Sequence, residues 1–120
     1  MRLRILLSFL ALTACHDPDR VSVDVAFDVD AGGGFTSAKC IASTGNTCQI
    51  DFQGATPRRA VLQIGEMRHF KHVGPGAPVC IAAEAADLAG CSPTRLRAGY
   101  ARIRKARSDR AALAHGHARA

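Results

Sequence analysis

The alternation of apolar and polar residues is clearest in the segment 21–31. Every second side chain from Val21 to Val29 is apolar, and the residues between them are mostly serine and aspartate. Such strict alternation is typical of a β-strand with one buried face and one solvent-exposed face. Three successive glycines, residues 32–34, then end this first predicted strand.

The segment 35–52 predicts a β-hairpin with its turn at 43–45. A three-residue loop with a glycine in the left-handed conformation is a common hairpin connection, and Gly45 supplies the glycine. In this register Cys40 lies opposite Cys48, and their β-carbons come close enough for a disulfide. We therefore predict two paired strands joined by a Cys40–Cys48 bond.

The rest of the chain predicts further short strands between turns rich in glycine and proline. These strands lie at 60–64, 67–73, 79–83 and 96–104, with a short helical turn at 82–88 that Gly90 ends. About six or seven short strands indicate an all-β fold. The expected architecture is a small disulfide-bonded β-sandwich, of which the immunoglobulin-like arrangement is one form, and a small β-barrel is the alternative.

The segment 1–15 has the three parts of an export signal. Arg2 and Arg4 carry positive charge, residues 5–12 are apolar apart from Ser8, and small residues follow. The apolar run is far shorter than the roughly 20 residues that a helix needs to span a bilayer. Residues 1–14 therefore predict a removable signal peptide.

The sequence "LTAC", residues 12–15, resembles the lipobox of bacterial lipoproteins, in which an aliphatic residue and two small residues precede a cysteine. The resemblance implies that Cys15 becomes the lipidated first residue of the mature chain. Two or more acyl chains anchor a protein stably, whereas one chain anchors it marginally. His16 stands where an aspartate often marks inner-membrane retention, which implies the outer membrane, facing the periplasm. The alternative is a secreted protein with a spare thiol.

The cysteine count agrees with this interpretation. The chain has five cysteines, and an odd cysteine in an exported protein calls for an explanation. Setting Cys15 aside leaves Cys40, Cys48, Cys80 and Cys91, which can form two disulfides in an oxidising compartment. Four cysteines allow three pairings. The hairpin register favours Cys40–Cys48, and Cys80–Cys91 follows by elimination.

The predicted organisation is a signal peptide (1–14), a lipidated N-terminus with a short tether (15–20), a β domain (21–106) and a basic flexible tail (107–120). The formal net charge of +6 is unevenly distributed. Residues 16–56 hold two basic and six acidic residues, and residues 57–120 hold twelve basic and four acidic residues. This gradient indicates an anionic partner for the C-terminal part, although a solvated surface would also account for it.

A basic cluster lies at the end of the predicted domain and consists of Arg95, Arg97, Arg102, Arg104 and Lys105. Such a cluster can bind phosphate oxygens of lipid or glycolipid in a salt-sensitive manner. The alternative is an edge strand that its charges protect from aggregation. Nucleic acid is not expected, because the predicted compartment holds none and the chain has one tyrosine and no tryptophan for base stacking.

Met67, His69 and His72 are candidate copper ligands, since methionine and histidine suit copper. In a strand, however, Met67 and His69 share a face that His72 does not. Two ligands are too few to define a site, and we expect no metal or other cofactor. Catalysis is not expected either, because the sequence presents no nucleophile with a base and an orienting group.

The sequence thus predicts a non-catalytic lipoprotein of the bacterial cell envelope. Its membrane contact is the lipid anchor, and its β domain is displayed for interaction with an envelope protein or an anionic glycolipid. Two alternatives remain open. One is a periplasmic copper-binding lipoprotein that uses the methionine and the two histidines, and the other is an inhibitor of a hydrolase.

Overall fold

The computed structural model describes residues 20–54 and 57–108. These residues form eight strands and one short 3₁₀ turn. The elements are β1 (Arg20–Val29), β2 (Phe35–Ser43), β3 (Thr47–Phe52), β4 (Arg58–Gln63), β5 (Met67–Lys71), β6 (Pro78–Ala82), the 3₁₀ turn (Ala85–Leu88), β7 (Thr94–Arg95) and β8 (Gly99–Ser108). Within these ranges no helix has the length and apolar character to cross a membrane.

The strands form two four-stranded sheets that pack as a β-sandwich. The first sheet has the order β5-β2-β1-β8, and the second sheet has the order β4-β3-β6-β7. The second sheet matches strands C′, C, F and G of an immunoglobulin-like domain, and β1, β2 and β5 match strands A, B and E. Strand β8 extends this arrangement beside β1. The predicted all-β sandwich is confirmed, and its strand order is immunoglobulin-like.

The core forms between the inner faces of the two sheets. The apolar positions of β1 from Val23 to Val29 are buried, as the alternation predicts, and Phe27 is fully enclosed, whereas Val21 is partly buried. Phe52 of the second sheet meets Phe27 edge to face, with ring centroids 6.3 Å apart, and lies 4.7 Å from the ring of Phe70 on β5. Thr36 is the one buried polar residue among those described, and its hydroxyl donates to the Val73 carbonyl at 2.7 Å. Aromatic packing therefore joins the sheets.

The predicted hairpin over 35–52 is wrong in its pairing. Strand β2 pairs with β1 and β5, whereas β3 pairs with β4 and β6, so the turn carries the chain from one sheet to the other. The left-handed residue of that turn is Asn46, with φ of 66°, and not Gly45. A β-carbon at Gly45 would lie 2.6 Å from the Ala83 carbonyl oxygen. Gly45 is required for this close approach.

Both predicted disulfides are present. Cys40–Cys48 links β2 to β3 and therefore joins the two sheets through the core. Cys80–Cys91 joins β6 to the segment after the 3₁₀ turn. That bond holds the segment against the side of the second sheet that faces away from the core. There Cys80, Ala82 and Leu88 form a small buried cluster, and Cys91 packs against it.

The end of the chain differs in detail from the prediction. A two-residue strand, β7, was not predicted, and the last strand begins at Gly99, which has φ of 93°. Strand β8 also continues to Ser108, so its last residues lie in the segment expected to be tail. Arg20, the last residue of the predicted tether, is the first residue of β1. The signal peptide, residues 15–19 with Cys15, and the tail beyond Ser108 lie outside the described residues.

Candidate functional site

The outer face of the first sheet carries an unusual set of side chains. Alternate residues of each strand point to this face, and the register aligns Lys71 with Phe35, His69 with Ser37 and Asp28, and Met67 with Lys39 and Ala26. Asp24 comes next along β1 and contacts Arg102 and Arg104 of β8. Tyr100 lies two residues before Arg102 on β8 and therefore points to the same face. We call this surface the outer face.

Large apolar side chains concentrate on the outer face. Five such side chains are exposed within the described ranges, and three of them are here: Phe35 at 46%, Met67 at 57% and Tyr100 at 69%. The other two are Val61 on the second sheet and Ile64 in the turn after β4. Single exposed apolar residues are ordinary, whereas several on one face often mark a contact surface.

One carboxylate holds two arginines at the β8 edge of the outer face. Arg102 donates from Nε to Oδ1 of Asp24 at 3.2 Å and from Nη2 to Oδ2. Arg104 Nε lies 3.3 Å from the same Oδ2. The hydrogen bond to Asp24 raises the pKa of Arg102, and burial opposes that rise only in part. The cluster keeps a net positive charge, since two guanidiniums share one carboxylate.

The remaining outer-face cations are less constrained. Across residues 20–54 and 57–108, neither Lys39 nor Lys71 has a carboxylate within ion-pair distance. Between these lysines, His69 Nδ1 lies 2.7 Å from the Ser37 hydroxyl, and its ring meets Phe35 edge to face at 6.0 Å. Within the part of the chain that the structure describes, no carboxylate competes with an anionic ligand for either lysine.

The structure divides the predicted basic cluster among three places. Arg102 and Arg104 share Asp24 on the outer face, as their common strand face predicts. Arg95 ends β7 in the second sheet and donates to the Gly76 carbonyl at 3.1 Å, and Arg97 follows it in the connection to β8. Lys105 lines a groove between the sheets. The five cations do not form one continuous surface.

That groove, of about 290 Å³, lies where the short β7 leaves part of β6 without a neighbour. The β6–β7 register ends at Val79, so Ile81 pairs with Ile50 of β3 on one side and has no described strand on the side of β7. Across the groove Arg107 binds Asp87 at 3.0 Å and Glu84 at 3.2 Å. A strand edge of this kind can accept an extended peptide.

The copper candidates are only partly brought together. His69 and His72 line one shallow depression with Phe35 and Lys71, but Met67 is not part of its lining. His72 has φ of 64°, which turns it out of the alternation of β5. Across the described ranges no three side chains from His, Cys, Asp and Glu form a metal-binding group.

The residues that make the outer face distinctive do not stand out in the sequence. Each of four residues falls in a predicted strand, but the sequence does not show that they share one surface: Phe35, Lys39, Lys71 and Tyr100. Their alternation was visible, but the order of strands that places β5, β2, β1 and β8 side by side was not. Asp24 lies on the predicted solvent-exposed face of the first strand, and its partners Arg102 and Arg104 lie 78 and 80 positions further along the chain.

Comparison with protein families, with curated proteins and with solved structures gave no match to this chain.

Proposed function

We propose that this chain is a lipoprotein of the bacterial cell envelope, held at the membrane by acyl chains on Cys15. The β-sandwich is displayed at the membrane surface for contact with an envelope protein or an anionic lipid. Its mechanism is anchoring and display, and it includes no catalytic step. The outer membrane, on the periplasmic side, is the proposed location.

The observation that carries this proposal is the use of the cysteines. Two disulfides occupy Cys40, Cys48, Cys80 and Cys91, and the chain has five cysteines. Disulfides form and persist in exported proteins. Cys15 is therefore the odd cysteine, and it stands at the end of the lipobox-like sequence, where an exported chain would be acylated.

The short distance between the anchor and the fold also supports display close to the bilayer. Strand β1 begins at Arg20, and Cys15 precedes it by five positions. An extended chain spans at most about 3.5 Å per residue, so this segment reaches no more than roughly 18 Å. The sandwich would remain within reach of the lipid headgroups.

The intact mass of the protein from native membranes, measured without reduction, tests the proposal. We expect a chain that begins at Cys15, carries acyl chains and lacks two hydrogens for each disulfide. A Cys15→Ser variant should lose the acyl mass and leave the membrane fraction while keeping both disulfides. A mass without acyl chains in the parent protein would refute the anchor and, with it, the proposed location.

A further inference from the structure

We infer that the outer face of the first sheet lies against an anionic phospholipid surface, with Phe35, Met67 and Tyr100 in the headgroup layer. The inference rests on the proposed function, because the anchor on Cys15 brings the sandwich to the bilayer. It adds which surface of the sandwich makes the contact and which lipid chemistry that surface recognises.

Charge complementarity is the first support. Between residues 21 and 107 the outer face carries four cations, Lys39, Lys71, Arg102 and Arg104. It also carries three carboxylates, Asp24, Asp28 and Asp30, the last of which follows β1 and donates its N–H to the Phe35 carbonyl. Asp24 is already engaged by both arginines. Lysine and arginine near an anionic bilayer are attracted to its phosphate groups. Anionic phospholipid is therefore favoured over a zwitterionic surface.

The exposed apolar side chains are the second support. Phe35, Met67 and Tyr100 lie among these cations and not apart from them. Aromatic rings with a polar atom are favoured at the level of lipid headgroups, and apolar side chains gain by leaving water there. Lysine and arginine place their stems along apolar surface while the charged ends reach phosphate. One face therefore combines both parts of an interfacial contact.

The first sheet contains the strand that follows the proposed anchor in sequence. Strand β1, the first strand after Cys15, belongs to the first sheet and lies between β2 and β8. The second sheet lies on the far side of the core and is partly covered by the 3₁₀ turn and its disulfide. A short tether that enters through β1 therefore allows the outer face, rather than the covered one, to rest on the bilayer.

Single tryptophans test the inference, because the chain contains none. Tyr100→Trp places the probe on the outer face, and Val61→Trp places it on the opposite sheet, where the parent side chain is also exposed, at 44% against 69% for Tyr100. Each full-length lipoprotein is reconstituted into vesicles of phosphatidylcholine alone, or of phosphatidylcholine and phosphatidylglycerol in equal parts. Emission spectra and quenching by brominated phospholipid are then recorded.

We expect Tyr100→Trp to show a blue shift and bromine quenching in the phosphatidylglycerol vesicles, and Val61→Trp to show neither. The blue shift should diminish in 1 M salt, where screening acts over about 3 Å instead of about 10 Å at 0.1 M. Lys39→Glu, added to the Tyr100→Trp chain, should reduce the shift. Arg59→Glu, which makes the same charge change on the opposite sheet, should leave it unchanged.

The outcomes separate this inference from the proposed function. Sedimentation of both variants with phosphatidylcholine vesicles reports the anchor, whereas the difference between the two tryptophans reports the face. Equal blue shifts and quenching at both positions would overturn the inference while leaving the anchor intact. A Tyr100→Trp blue shift that is independent of phosphatidylglycerol and of salt would do the same. Dimerisation through the outer face, seen as a concentration-dependent Tyr100→Trp shift without vesicles, would also overturn it.

Discussion

The two outer surfaces of the sandwich are built differently. On the second sheet, the Cys80–Cys91 bond draws a loop across the strands, and Leu88 is buried against Cys80 and Ala82. On the first sheet, Phe35, Met67 and Tyr100 remain exposed among lysines and arginines. Among residues 20–54 and 57–108, the chain thus covers apolar side chains of the second sheet with a loop and leaves those of the first sheet exposed.

This difference indicates that one surface contributes to stability and the other to contact with a second surface. Burial of the cluster around Leu88 contributes to stability, because apolar area is removed from water. Exposed Phe35 and Tyr100 contribute little to stability, since they stay in water in the folded chain. Their retention on one face, beside lysines that have no carboxylate partner among residues 20–54 and 57–108, is better explained by contact with another surface. The comparison leads to distinct expectations for stability and for membrane contact.

Removing the disulfide that holds the loop against the second sheet should have the largest effect on stability. The double variant Cys80→Ala, Cys91→Ala should lower the free energy of unfolding by about 2–4 kcal/mol. The unfolded chain gains conformational entropy, and the loop is no longer linked to β6. Urea unfolding followed by circular dichroism measures this. Vesicle contact through the first sheet should persist below the unfolding transition. A loss of less than about 1 kcal/mol would show that the cover does not depend on its disulfide.

A matched pair of apolar truncations should separate the two surfaces next. Leu88→Ala should lower the free energy of unfolding by about 2–3 kcal/mol, at the lower end for a buried leucine, because its cluster is small. Met67→Ala should change it by less than about 0.5 kcal/mol, since that side chain is exposed. Similar losses for both variants would contradict the contrast between covered and uncovered surfaces.

Much of the fold could be predicted from local sequence. The alternation from Val21 to Val29 correctly located β1 and its buried face, since side-chain period reports burial directly. The partners of Cys40 and Cys80 were also predicted correctly. The reason given for the Cys40–Cys48 bond was wrong, because the spacing across a turn does not reveal whether the flanking strands pair or enter different sheets.

The candidate site was much less predictable. Its composition depends on which strands become neighbours, and those pairings join residues far apart in sequence. Asp24 acquires Arg102 and Arg104 only because β8 returns beside β1. Proximity along the chain grouped Arg95 with Arg102, whereas the fold places them in different sheets. Charge runs in sequence therefore predicted the presence of cations better than their arrangement.

The Asp24 cluster offers a change with opposite effects on stability and contact. Asp24→Asn should lower the free energy of unfolding by about 0.5–1 kcal/mol, because the ion pairs lie partly exposed. It should also raise affinity for phosphatidylglycerol vesicles about fivefold, since one added net positive charge near the surface contributes about 1 kcal/mol. Asp51→Asn makes the same charge change on the second sheet beside Arg59 and is the control. An equal rise in that control would point to net charge rather than to the outer face.

The smallest expected effect concerns the turn that joins the two sheets between β4 and β5. The Glu66 carboxylate accepts the Gln63 N–H at 2.9 Å and binds Arg68 at 2.7 Å. The backbone hydrogen bond from Gln63, followed by the bond from Arg68, lowers the pKa of Glu66 below its ordinary value of 4.5. The stabilisation is therefore fully present above 4.5 and is lost as the pH falls through the lowered value.

Two substitutions separate the contributions to this pH dependence. Glu66→Gln keeps an oxygen for the Gln63 N–H but loses the charge beside Arg68, and Glu66→Ala loses both. The urea midpoint of each variant should lie slightly below that of the parent at neutral pH, further for Glu66→Ala. The gap for Glu66→Gln should close in strong acid, because the parent carboxyl is then protonated. A gap that stays constant with pH would mean that packing of the turn, rather than the charge of Glu66, fixes the passage from one sheet to the other.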